Sequence, residues 1–109
     1  MILPSKVRFI DKKVKRAFED LKNSNEAWLY KFLERAFKDL EKNAFDGIQM
    51  PKNLIPKSYI QKYNIDNLWK YDLPRGWRLI YFITRDEIIV LSVILEWMNH
   101  KDYEKRFSY

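Results

Sequence analysis

The stretch that decides the fold is residues 68–100, "LWKYDLPRGWRLIYFITRDEIIVLSVILEWMNH". Its first part alternates. Trp69, Tyr71 and Leu73 fall on one face of an extended chain, and Leu68, Lys70 and Asp72 on the other. Pro74 ends the pattern, and "PRG" reads as a turn. Two β-prone runs follow, "WRLIYFI" and "EIIVLSVILEW", with the turn placed at "TRDE". The second run is apolar on both faces from Ile88 to Leu95, which predicts a central strand covered on both sides. Three consecutive strands form an antiparallel meander, in which the start of "WRLIYFI" lies beside the end of "EIIVLSVILEW". That topology brings Arg78 next to the Glu96–His100 segment, although the two are far apart in sequence.

Upstream, the period changes from two to 3.6. Residues 6–10, "KVRFI", read as a short strand, and Asp11 as the cap of a helix over "DKKVKRAFEDLKN". Val14, Phe18 and Leu21 share one face of it, leaving a basic outer side with Lys12 and Lys15. Asn23 and Glu26 match a capping box, and Leu29, Phe32, Leu33, Ala36, Phe37 and Leu40 stripe a second helix over about 25–42. "NAFDGIQMPKNLIP" reads as a linker and "KSYIQKYN" as a short helical turn. The expected fold class is α+β, one domain over residues 1–109, in the order β-α-α-β-β-β. An antiparallel two-helix hairpin covers one face of a small, mainly antiparallel twisted sheet. The other face is expected to stay partly open, with the polar strand residues pointing into it.

Composition narrows the class. The 21 basic and 15 acidic side chains give a formal charge of +6, which favours an anionic partner such as nucleic acid or an acidic protein. With no cysteine and one histidine, disulfides, cysteine-based zinc sites and multi-histidine metal sites are excluded, and a cytoplasmic location is expected. "MILPSKVRF" lacks the pattern of a signal peptide, and no apolar run approaches the roughly 18 residues of a membrane span. Aromatics make up 17% of the chain; interleaved with Lys and Arg they could stack on bases, but such residues more commonly fill a core.

The meander gathers cations, an imidazole and a phenol at one end of the sheet. That mixture suits metal-free phosphodiester chemistry. A ribose 2′-hydroxyl attacking its own phosphate needs a base, cations for the charge on phosphorus, and an acid for the leaving 5′-oxygen. The plainer alternatives are a polar His100 starting a C-terminal turn, a solvated basic tail, and an Arg78 paired with Glu96 or Asp72.

Residues 68–107 resemble the RelE/ParE superfamily of small toxins from toxin–antitoxin modules. The resemblance rests on the strand bearing Lys70, the turn ending in Gly76, "WRLIY" with Arg78, and an apolar strand leading to "HKD". It implies a RelE-like fold and ribosome-dependent mRNA cleavage without a cofactor or metal. The implied catalytic set is Lys70, Arg78, His100 and Tyr103, with RNA contacts from Arg75, Arg85, Lys101, Arg106, Lys12 and Lys15. It also implies a cognate antitoxin, a toxin–antitoxin hetero-oligomer, and the ribosome and mRNA as partners. Two departures thin the cationic set. Asp72 stands where RelE-like strands carry a second lysine, and Trp97 and Met98 where a tail arginine is expected. They keep two alternatives open: a ParE-like toxin acting on DNA gyrase without cleavage, and a catalytically inactive domain that binds nucleic acid or protein.

Overall fold

The computed structural model describes residues 1–107. Strand β1 (Lys6–Phe9) leads into helices α1 (Lys12–Leu21) and α2 (Ala27–Lys42), followed by a two-residue strand β2 (Ile48–Gln49). Helix α3 (Lys57–Tyr63), strands β3 (Trp69–Asp72), β4 (Arg78–Asp86) and β5 (Ile89–Met98), and helix α4 (His100–Arg106) follow among the described residues. One five-stranded sheet runs in the order β1-β5-β4-β3-β2. β1 pairs with β5 in parallel, and every other pair is antiparallel. The expected α+β class and the meander are present. The sheet is mixed and wider than expected, because residues assigned to the linker form β2.

The local signals act largely as expected. Asp11 caps α1, its carboxylate accepting from the Val14 N–H at 2.8 Å. The "PRG" turn holds Arg75 at φ 61° and Gly76 at φ 78°. Two boundaries differ. The Asn23–Glu26 capping box does not form. Instead the Ser24 hydroxyl donates to the Leu21 carbonyl and accepts from the Glu26 N–H, and α2 starts at Ala27. β4 extends through Asp86, so the tight turn is Glu87–Ile88 and Ile88 is exposed at its tip. Glu87 takes a left-handed φ of 55° there, which short hairpin turns require.

Both faces of the sheet are covered, contrary to the expectation of an open face. On one side the α2 stripe of Leu29, Leu33, Ala36, Phe37 and Leu40 packs on Trp69, Leu73, Leu79, Tyr81 and Ile94. On the other, Ile55, Tyr59 and Ile65 from the α3 region and Tyr103 and Phe107 from the C-terminal segment cover Leu68, Ile80, Leu95 and Met98. The physical reason is that α3 and α4 each carry apolar side chains among their charges. Tyr103 and Phe107, one turn apart, stand on the same side of α4 and need a surface to bury them. The segment read as a tail is thus a helix docked on the sheet, and Asn99 caps it by accepting from the Asp102 N–H at 2.8 Å. Most of the aromatic side chains serve these two cores rather than an open stacking surface.

A β-bulge in β5 sets which side chains reach the second face. Ile80 opposes Glu96 while the next residue, Tyr81, opposes Ile94, so Leu95 is the extra residue. Strict alternation would place Glu96 with Ile94, against α2. The bulge restarts the pattern, and Leu95 and Glu96 both face α3 and α4: Leu95 joins that core and Glu96 bonds to Tyr59 and Arg106.

Candidate functional site

Lys70, Asp72 and Arg78 meet on the face covered by α4. Lys70 and Asp72 are two residues apart on β3 and so share a side, while Asp72 stands directly across from Arg78 on β4. Arg78 in turn pairs with Met98 at the end of β5, the juxtaposition the meander predicts. Asp72 Oδ1 lies 3.1 Å from Lys70 Nζ and 2.9 Å from Arg78 Nε. The Arg78 contact is an ion pair of close approach only. The Nε–H does not point at the oxygen and has no hydrogen-bond acceptor among the described residues. Arg78 Nη1 donates to the Gly76 carbonyl at 2.7 Å, which fixes the guanidinium against the turn.

Two cations share one carboxylate, so the cluster carries a net single positive charge. The cationic side chains are about four-fifths buried, with 20% and 18% of the Lys70 and Arg78 side-chain surface exposed, against 50% for Asp72. Charge held in such surroundings acts on an incoming anion more strongly than charge on a fully solvated lysine. The Tyr103 ring backs both cations, with its centroid 5.2 Å from Arg78 Cζ and 5.7 Å from Lys70 Nζ. Tyr103 is buried, so its ring is committed to this packing and cannot stack on a base in this arrangement.

His100 opens α4 beside the same turn. A Cβ added to Gly76 would lie 3.0 Å from the His100 Cβ, so His100 stands against the same glycine whose carbonyl accepts from Arg78. The imidazole is mostly exposed and its Nε2 lies 2.8 Å from Glu104 Oε1, one turn along the helix. The turn therefore collects Arg78 and His100, and β3 and α4 add Lys70 and Tyr103. The remaining expected RNA contacts scatter. Arg75 sits at the turn but lies over the Trp28 ring, 4.2 Å from its centroid, on the α2 side. Lys101 is exposed on α4. Arg85 lies seven residues along β4 from Arg78, roughly 23 Å away at the other end of the strand. Lys12 and Lys15 line a groove between α1 and β1 with Val7, Arg8, Phe9 and Asp11.

Arg106 belongs to a second polar cluster that the sequence reading did not assemble. Its Nη1 donates to Glu96 Oε1 at 2.9 Å and to the Tyr59 hydroxyl at 3.1 Å, and Tyr59 donates to Glu96 Oε2. Burial, then the bond to Glu96, pushes the Tyr59 phenol above its ordinary value; the bond that Arg106 donates to the Tyr59 oxygen does most to push the guanidinium upward too. The missed signal is the bulge: nothing in "VILEW" alone says that Leu95 and Glu96 face the same way. Among the described residues no three of His, Asp and Glu gather to hold a metal ion. No helix among them is long and apolar enough to cross a membrane.

No known family model, no curated protein and no solved structure matches this chain.

Proposed function

We propose that the chain is a RelE-like toxin of a type II toxin–antitoxin system, an mRNA endoribonuclease that acts on the ribosome and is silenced by a partner antitoxin. The observation that carries the reading is the Lys70–Asp72–Arg78 cluster beside His100, assembled from β3, β4 and the start of α4. In it Asp72 occupies the place of an anion between two largely buried cations. A phosphodiester group takes that place, its non-bridging oxygens replacing the Asp72 carboxylate, which is free to turn to solvent.

The reaction is an in-line transfer. The 2′-oxygen forms a bond to phosphorus and loses its proton to a base. The bond from phosphorus to the 5′-oxygen breaks, and that oxygen receives a proton. The products are a 2′,3′-cyclic phosphate and a 5′-hydroxyl. Lys70 and Arg78 stabilise the charge that grows on the phosphoryl oxygens, and His100 carries a proton with its ring held by Glu104. Tyr103 is a positioning residue that keeps both cations on the sheet face.

The test is induced expression with primer extension on cellular mRNA. The expected result is growth arrest with cuts inside translated codons, and a drop in cleavage of about 10²–10³-fold for Arg78→Ala. Unchanged cleavage in that variant would remove the assigned site. A second reading is supported by the pairing itself, because Asp72 and Glu104 already partner the cations and the imidazole. It is a toxin of the same fold that inhibits DNA gyrase without cutting RNA. Arrest without mRNA cuts, accompanied by inhibited DNA supercoiling, would select it.

A further inference from the structure

The Tyr59–Glu96–Arg106 cluster borders a cleft of about 240 Å³ between α3 and α4, also lined by Ser58, Lys62 and Tyr63. That is below the roughly 300 Å³ at which pockets start to enclose a whole drug-sized molecule, so the cleft suits one small group. Its chemistry is that of an anion site. Ser58 and Lys62 are one turn apart on α3 and present a hydroxyl and an ammonium on the same side. Lys62 Nζ rests over the Tyr63 ring, 5.3 Å from its centroid. Arg106 enters from α4.

The guanidinium is already immobilised. Both bonds it makes among the described residues use Nη1, to Glu96 and to Tyr59. Its Nε and second terminal nitrogen remain for a ligand, and the guanidinium fork binds a phosphate through two such donors. Because its rotamer is fixed beforehand, little further entropy is lost on binding. Glu96 holds the arginine rather than cancelling the site, since Lys62 restores a net positive charge.

The cleft also lies on the same sheet face as Lys70. Lys70 pairs with Ile80 and Ile80 with Glu96, so Lys70 and Glu96 stand two strand spacings apart, roughly 10 Å. A short single-stranded segment spans that distance. We infer that Ser58, Lys62 and Arg106 form a second phosphate subsite, which takes a backbone phosphate of single-stranded RNA flanking the one held by Lys70 and Arg78. This rests on the function proposed above and adds to it a second contact for the strand, on the surface beside the last turn of α4.

The test uses fluorescence anisotropy of the whole protein with a 2′-O-methyl RNA octamer, which lacks the attacking hydroxyl, and with a dinucleotide, whose single phosphodiester cannot reach both subsites. Lys62→Gln and Ser58→Ala are exposed changes that leave the Tyr59–Glu96–Arg106 bonds in place. Lys62→Gln should weaken octamer binding about three- to fivefold. It should reduce the slope of log affinity against log salt by about 0.7, and leave the dinucleotide unchanged. If both α3 variants bind the octamer like the parent while Arg78→Ala weakens it, the second subsite is wrong and the function stands. If Arg78→Ala also changes neither RNA binding nor growth arrest, the function itself falls. An acidic peptide that binds the cleft in a Lys62-dependent way, with no effect of Lys62→Gln on RNA, would equally overturn the subsite.

Discussion

Two glycines show how single residues hold the site in place. Gly76 has a left-handed φ of 78°, and a side chain there would press on His100 at 3.0 Å. Gly47 has ordinary backbone angles but no room. A Cβ would lie 2.6 Å from the Lys70 carbonyl oxygen and 2.6 Å from the Tyr81 hydroxyl. Gly76→Ala should cost about 1–2 kcal/mol in chemical denaturation through its backbone. Gly47→Ala should cost about 1–3 kcal/mol through overpacking, since neither the β3 backbone nor a fully buried tyrosine can retreat. Tyr81 itself donates to the Ala44 carbonyl at 2.7 Å and accepts from the Gly47 N–H at 3.1 Å. Tyr81→Phe strands both groups and should cost about 1–3 kcal/mol in the same measurement. At this scale the Lys70–Asp72–Arg78 contact was legible, because residues two apart on a strand share a face and the turn sets the register across it. The Glu96–Arg106 pair was not, because it needs the bulge.

At the scale of elements, α1, α2 and the meander were legible from periodicity, and α4 was not. Its seven residues are five charged ones, His100 and Tyr103, and the second apolar side chain, Phe107, comes only after its last residue. A stripe that short becomes a helix only when a sheet is there to receive it. The caps give the contrast a measurable form. Asp11→Ala removes the α1 cap and should cost about 1 kcal/mol. Because α1 buries no side chain fully, the loss should appear as faster hydrogen exchange confined to residues 12–21.

Across the whole molecule, tyrosine hydroxyls tie the layers together. Tyr71 on β3 donates to Asp39 on α2 at 2.5 Å, Tyr59 on α3 bonds to Glu96 on β5, and Tyr81 bonds to the connection after α2. Burial is the leading reason that all three phenols are raised above the ordinary value near 10, with carboxylate partners adding to it for Tyr59 and Tyr71. The folded state therefore holds these protons more tightly than the unfolded chain. Their contribution to stability is complete below about pH 10 and is lost as pH rises beyond it. Thermal unfolding followed from pH 8 to 12 should show a midpoint that falls steeply above pH 10, with phenolate absorbance from these tyrosines arriving only with unfolding. A midpoint flat across that range would contradict the assignment. By itself the sequence determined the α+β class, the strand alternation, the helical hairpin and the meeting of Arg78 with the end of β5, because each follows from local periodicity and turn chemistry. The parallel pairing of β1, the bulge, the covered second face and the Tyr59–Glu96–Arg106 cluster were decided only by tertiary structure. Each depends on which apolar surfaces were left to be buried once the local elements had formed.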